Sequence, residues 1–434
     1  MLLVYTRSTT PRLKFVFDFV FRDVLGMKYE LTHDKESYRQ YAGPRLHYGD
    51  APFGSEPFIY ASRILFEKGI RDQEISVFDW EDCKAFFATH PKYLLPFDPF
   101  AATFYLVSRY EEYLPHKRDH YNRFEAGQSL AFEKGFLKKP IADIWAYRLR
   151  DALLRIYPGL TYTGRTYKYV STVDIDNAWA FRQKGLFRTG GAYLRALFGL
   201  QLREIGDRLA VLLKMKKDPY DTYEEMLELQ ARYQFPAIYF FLLGDYGEND
   251  KNVPPTSKQL HSLIKSIADY SETGIHPSFN SNVQPEKLKT EISRLRKILK
   301  REVDKSRQHF LILNFPSTYR RLIDHDIADD YTMGYAAEIG FRAGTCTPFN
   351  FYDLDLEAET RLRIHSFAVM DATLKYYMKI RPGEALQHVE PLIDEVKKVD
   401  GTFMSLWHNE SLSDVFPWEG WKNVYEQVIR KAVG

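Results

Sequence analysis

Short apolar runs alternate along the chain with longer stretches in which apolar residues return every three to four positions. Runs of the first kind predict strands, and stretches of the second kind predict amphipathic helices. Up to residue 159 the pattern gives strands at 2–5, 28–32 and 75–78, and helices at 11–24, 99–114 and 141–156. The helix at 99–114 carries its own start signal. Asp98 can accept hydrogen bonds from the first turn, and Pro99 suits the first helical position. Three turn signals, Gly43-Pro44, Gly49-Asp50 and Pro52-Phe53-Gly54, interrupt the periodicity. These features predict an N-terminal α/β domain over 1–159, with its sheet order left open.

From residue 160 the alternation becomes regular. Strands are predicted at 167–173, 237–243, 272–275, 310–313 and 402–407, and helices at 222–233, 260–269, 284–301, 317–325 and 418–432. Repetition of this kind predicts a (β/α) barrel or a doubly wound sheet for 160–434. One stretch breaks it. Residues 184–217 carry eight basic side chains against two acidic ones, Glu204 and Asp207, with leucines near helical spacing. This predicts an inserted helical hairpin with a solvated basic face. The competing reading is a lid, or a peripheral surface that docks on anionic lipid-linked material.

Composition narrows the picture. Of 434 residues, 60 are Lys or Arg and 58 are Asp or Glu, a net charge of +2. That argues against a dedicated nucleic-acid binder. Two cysteines, Cys83 and Cys346, cannot build a disulfide framework or a four-thiolate zinc site. The first residues lack a basic stretch before an apolar one, and no apolar run approaches a membrane span, so the expectation is a cytoplasmic protein. Aromatic residues reach 15%, which predicts aromatic-rich cores and leaves ring stacking on sugars as the functional alternative.

Chemistry gathers where predicted strands end. Asp174 and Asp176 follow the strand at 167–173, and their spacing of two puts both carboxylates on one side of an extended chain. Such a pair can divide labour, one binding a metal and the other acting as base, although Asp-Ile-Asp-Asn is also good turn chemistry. His276 follows the strand at 272–275, and His408 follows the strand at 402–407. A barrel gathers such strand ends at one rim.

The order Asp174-Ile175-Asp176, Gly274-Ile275-His276 and Leu406-Trp407-His408-Asn409 resembles the polysaccharide deacetylase family, carbohydrate esterase family 4. The resemblance covers about 167–434. It implies a deformed (β/α) barrel that removes acetyl groups, mostly N-acetyl, from sugars with a divalent metal such as zinc. It implies Asp174 as the general base, Asp176 and His276 as metal ligands, and His408 as the acid for the leaving amine. The family's second metal histidine stands four residues after the first, and here that position is Asn280. Gly340-Phe341-Arg342-Ala343-Gly344-Thr345 resembles a segment whose arginine, here Arg342, orients the catalytic Asp. The Asp98-Pro99-Phe100-Ala101-Ala102 and Ser108-Arg109-Tyr110-Glu111-Glu112-Tyr113-Leu114 segments look like an uncharacterised domain fused ahead of such barrels in bacterial proteins.

An amide oxygen is a weaker ligand than an imidazole, so Asn280 predicts weakened metal binding. That opens an alternative, a catalytically silent barrel that binds glycan or scaffolds a complex. A third reading is hydrolysis of a non-sugar C–N bond in a cyclic amide. The expected partner is an acetylated sugar or polysaccharide precursor. Tyr335, Phe349, Tyr352 and Trp407 lie near these segments as candidates for ring stacking.

Overall fold

The computed structural model describes residues 1–184 and 202–434. A small parallel sheet forms first. β1 (Leu2–Thr6), β2 (Tyr29–Thr32), β3 (Arg45–Gly49) and β4 (Phe58–Tyr60) lie in the order β2-β1-β3-β4. Between β1 and β2 runs the helix Pro11–Phe17, whose first turn is capped by the Thr10 hydroxyl. It continues as a wider-wound turn over Asp18–Val24. β5 (Phe78–Trp80) and β6 (Cys83–Ala85) make a separate hairpin. Asp98 caps the next helix as its sequence predicts, accepting from the Phe100 and Ala101 amides. That helix stops at Val107 rather than 114, because Arg109 takes a left-handed conformation at φ 53°.

The second sheet has nine strands: β7 (Lys168–Ile175), β8 (Ala237–Phe241), β9 (Glu272–Ile275), β10 (Lys305–Ser306), β11 (Asp329–Met333), β12 (Phe349–Asp353), β13 (Ala358–Ser366), β14 (Val369–Met370) and β15 (Thr402–His408). Their order is β12-β13-β11-β10-β9-β8-β7-β15-β14. All pairings are parallel except β12 with β13. The sheet curls on itself, and two consecutive residues prove it. Phe367 donates its amide to Met333 on β11, and Ala368 donates to Met404 on β15, near opposite flanks of the sheet. The result is a deformed (β/α) barrel.

Side-chain alternation explains the two sides of its wall. Ile238 and Phe240 on β8 and Met404 and Leu406 on β15 point inward, and pack with Tyr331 and Phe367 into an interior cluster. Gly274 on β9 makes room for it, since an added Cβ would sit 2.6 Å from the Phe240 ring. Tyr239, Phe241, Phe403 and Trp407 point outward into the core under the helices. That core continues without a break into the N-terminal part, where Phe15 and Phe104 meet Tyr352 at ring distances of 5.0 and 5.3 Å.

Two expectations need correction here. The predicted strand at 310–313 is not a strand. The pairing residues are Lys305 and Ser306, and His309–Leu311 is a single tight turn. Tyr335, Phe349, Tyr352 and Trp407 are buried core residues, so none offers a free face to a sugar. Of the basic stretch, 185–201 lies outside the described residues; its later part contains the helix Leu202–Leu212. Among the described residues, no helix is long and apolar enough to cross a membrane.

Candidate active site

Five titratable side chains at the ends of barrel strands, Asp174, Asp176, His276, His309 and His408, line one cavity of about 280 Å³. Asp174 is the penultimate residue of β7, and Asp176 lies just past its end. His276 directly follows β9, His309 lies three residues past β10, and His408 closes β15. Asp176 Oδ1 lies 3.0 Å from His276 Nε2, and Oδ2 lies 3.4 Å from His309 Nε2 and 3.7 Å from His408 Nε2.

Both close imidazoles are aimed from behind. His276 Nδ1 sits 2.6 Å from the Arg307 carbonyl, and His309 Nδ1 sits 3.0 Å from Asp250 Oδ1. Each ring therefore presents Nε2 to the cavity, the arrangement that outer partners impose on metal-binding histidines. The same Asp250 carboxylate accepts the Phe279 and Asn280 amides, fixing the loop that follows His276.

Ligand atoms of Asp176, His276 and His309 all lie within 4.8 Å of one another. Asp176 Oδ1 is buried without a hydrogen-bond partner, despite its closeness to His276. A buried orphan carboxylate oxygen beside two pre-aimed nitrogens fits a divalent cation. The charges agree. Burial raises the Asp176 carboxyl, but His309, His276 and His408 outweigh it and hold it well below the ordinary range. Burial lowers the His309 imidazole, yet Asp176 and Asp250 push it up to about 9. The rim asks for positive charge at this point.

Asp174 stands beside this set, its Oδ2 3.7 Å from His276 Nε2. Its Oδ1 accepts from Arg307 Nη1 at 3.0 Å, while Arg307 Nε donates to the Tyr331 carbonyl. On the neighbouring strand β15, in register with Asp174, His408 is held by Asp371, which bonds its Nδ1 and its backbone amide, each at 2.8 Å. Burial lowers the His408 imidazole, but Asp371, then Asp176 and Asp174, raise it well above the ordinary value. Phe310, Met370, Tyr376, Tyr377 and Trp418 line the cavity together with the polar side chains of Arg123, Gln308 and Glu410.

Four of the six residues singled out from sequence meet here: Asp174, Asp176, His276 and His408. Asn280 does not. It lies on the short helix Phe279–Val283, capped by Ser278, and its side-chain amide packs against Gly247. His309 stands where a third ligand is needed. Arg342 does not reach Asp174 either. It forms a two-pronged pair with Glu112, Nε at 2.9 Å and Nη2 at 2.6 Å, and the arginine on Asp174 is Arg307. The predicted strand at 310–313 concealed both residues. The polar run Lys305-Ser306-Arg307-Gln308-His309 was the available signal, a strand end followed by charged groups.

Residues 2–158 match a family of unknown function, DUF7033. No curated protein matches the sequence. Among solved structures, a protein assigned as a polysaccharide deacetylase from Mycobacterium smegmatis is 13% identical with a TM-score of 0.41, over 63% of this chain and 86% of that one. The polysaccharide deacetylase Bc1974 from Bacillus cereus is 9% identical with a TM-score of 0.31, over 62% and 86%. BA3943, a CE4 family pseudoenzyme from Bacillus anthracis, is 11% identical with a TM-score of 0.29, over 60% of this chain and 62% of that one.

Proposed function

We propose that the chain hydrolyses the acetamido C–N bond of an N-acetylated sugar, with a divalent cation held by Asp176, His276 and His309. The observation that carries this reading is the convergence of two pre-aimed imidazoles, the Asp176 carboxylate, an arginine-held carboxylate and a charged imidazole around one cavity. Two nitrogens and a carboxylate oxygen are a donor set that zinc takes in hydrolytic sites, with a position left open. The substrate class follows from the order of motifs along the chain.

A cation bound there supplies Lewis acidity to a water and to the acetyl carbonyl. The protein's own groups handle the protons. Arg307 fixes one oxygen of Asp174, and the other accepts a proton from the attacking water. The water oxygen bonds to the acetyl carbon. As the C–N bond breaks, His408 gives its Nε2 proton to the departing nitrogen, and acetate leaves. Asp371 keeps His408 in the tautomer and charge state that this donation needs.

Acetate release from a panel of N-acetylated sugars tests the reading, with cyclic amides alongside. Asp174→Asn is expected to lower turnover about 10²–10⁴-fold while metal content by elemental analysis stays near one per chain. Full activity in that variant would reject the assignment.

A further inference from the structure

The cavity at the strand ends is not walled by the barrel alone. Arg123, within the N-terminal residues matched to a family of unknown function, forms part of its side. Beyond this arginine lies a second cavity of about 360 Å³, which shares Arg123, Leu311 and Tyr377 with the first. Its remaining wall comes from both parts of the chain, with Glu125 and Gly127 on one side and Ala337 and Glu338 on the other.

Arg123 is a strut between the chambers. Its Nε donates to Asp119 at 2.7 Å, Nη1 to the Phe310 carbonyl at 3.0 Å, and Nη2 to the Tyr377 hydroxyl at 3.1 Å. Phe310 follows His309 directly. The N-terminal part therefore sets the backbone beside a candidate metal ligand, and positions a ring that is 40% exposed between the two chambers.

The lining indicates what the second chamber takes. The charge of Arg123 is matched by Asp119 and that of Arg342 by Glu112, so neither is a free anion receptor. The carboxylates of Glu125 and Glu338, the His120 imidazole and the exposed rings of Tyr377 and Phe132 are among what remains. Carboxylate acceptors beside aromatic faces suit a neutral, hydroxyl-rich ligand and repel a polyanion. At 280 and 360 Å³, each chamber alone is near the small end of ligand pockets.

We propose that the two chambers form one cleft for consecutive units of an N-acetylated oligosaccharide. The reacting unit sits in the barrel chamber, and a neighbouring unit sits in the chamber walled by the N-terminal part. This rests on the reading that the barrel chamber takes an acetylated sugar. It gives the N-terminal part a task, the selection of chain over single sugar.

Calorimetric titration of the full chain with N-acetylglucosamine and with its β-1,4- and β-1,6-linked tetramers tests it. At least one tetramer is expected to bind about tenfold more tightly than the monomer. Gly127→Trp and Ala337→Trp fill the second chamber from opposite walls. A Cβ at Gly127 meets nothing within 4 Å, and Ala337 is exposed, so both variants have room to fold. In each, the tetramer-to-monomer ratio is expected to fall toward one. Equal affinities in the wild type, a ratio unchanged in both variants, or no binding of any of these sugars overturns the cleft. Acetate measured in the same samples separates the two ideas. Acetate release with equal affinities sinks the cleft and leaves the hydrolase. Tetramer preference without acetate release sinks the hydrolase and leaves the cleft.

Discussion

Two clusters of buried charge lie within this fold, and they are built on opposite terms. At the junction of the N-terminal part and the barrel, Arg109 bonds Glu111, Glu112 and the Tyr335 hydroxyl, and Arg342 bonds Glu112 and the Gly334 carbonyl. Two arginines face two glutamates, and none of their side-chain atoms is left without a partner. At the rim, Asp174, Asp176, Asp250 and Asp371 surround three imidazoles and one arginine, and Asp176 Oδ1 and Arg307 Nη2 have no hydrogen-bond partner. The first cluster is complete and ties the segment after the Pro99–Val107 helix to the connection between β11 and β12. The second is incomplete and opens on a cavity. Buried polar groups left unmatched are costly, so they persist where a ligand completes them.

The comparison breaks first at Glu112. Both of its oxygens are used, one by Arg109 and Arg342 together and the other by Arg342. Glu112→Ala leaves the buried Arg342 without a carboxylate partner and Arg109 with Glu111 alone, and is expected to cost about 3–5 kcal/mol of stability. Chemical denaturation reads this directly. A loss below 1 kcal/mol would mean that the junction is not a closed ion cluster.

At the rim the corresponding test is Asp250→Asn. An amide keeps one acceptor oxygen but places an NH2 group against the amides or the imidazole that Asp250 now receives. His309 loses its fixed orientation. Metal affinity is expected to fall about 10–100-fold. Unchanged affinity would remove His309 from the ligand set.

Acidity tells the clusters apart more gently. Burial raises the Glu112 carboxyl, but Arg342 and Arg109 outweigh it and hold it below its ordinary value. A carboxyl depressed in the folded state stabilises the protein above its unfolded value, and that contribution fades as pH falls through the folded value. Urea midpoints of the wild type and Glu112→Gln should therefore differ most near neutrality and converge in acid. A gap that stays constant or widens on acidification would contradict the assignment of charge at the junction.

The sequence made half of the rim legible, for a physical reason. Asp174, Asp176, His276 and His408 close or directly follow strands that the periodicity placed correctly, so their position at a strand end marks them. Arg307 and His309 follow a strand of two residues, and the apolar run after them draws the eye to the wrong segment. Asp250 and Asp371 act on histidines 59 and 37 residues away, and spacing carries no trace of such pairs. The β13 strand was hidden by its charges, Glu359 and Arg361 exposed and Arg363 half-buried, on the outer part of the sheet.

The smallest expected effect bears most directly on this difference. Asn280 occupies the position where the family resemblance implies a second metal ligand, yet it serves the site only through its backbone amide, donated to Asp250 at 3.1 Å. Alanine keeps that amide. Asn280→Ala should hold metal affinity within about twofold of wild type, the range of a substitution that touches no critical feature. His309→Ala in the same titration should abolish the stoichiometric site. If the two variants exchanged behaviour, the ligand would be the residue the resemblance implies. The turn at 309–311 would then be a structural corner rather than part of the centre.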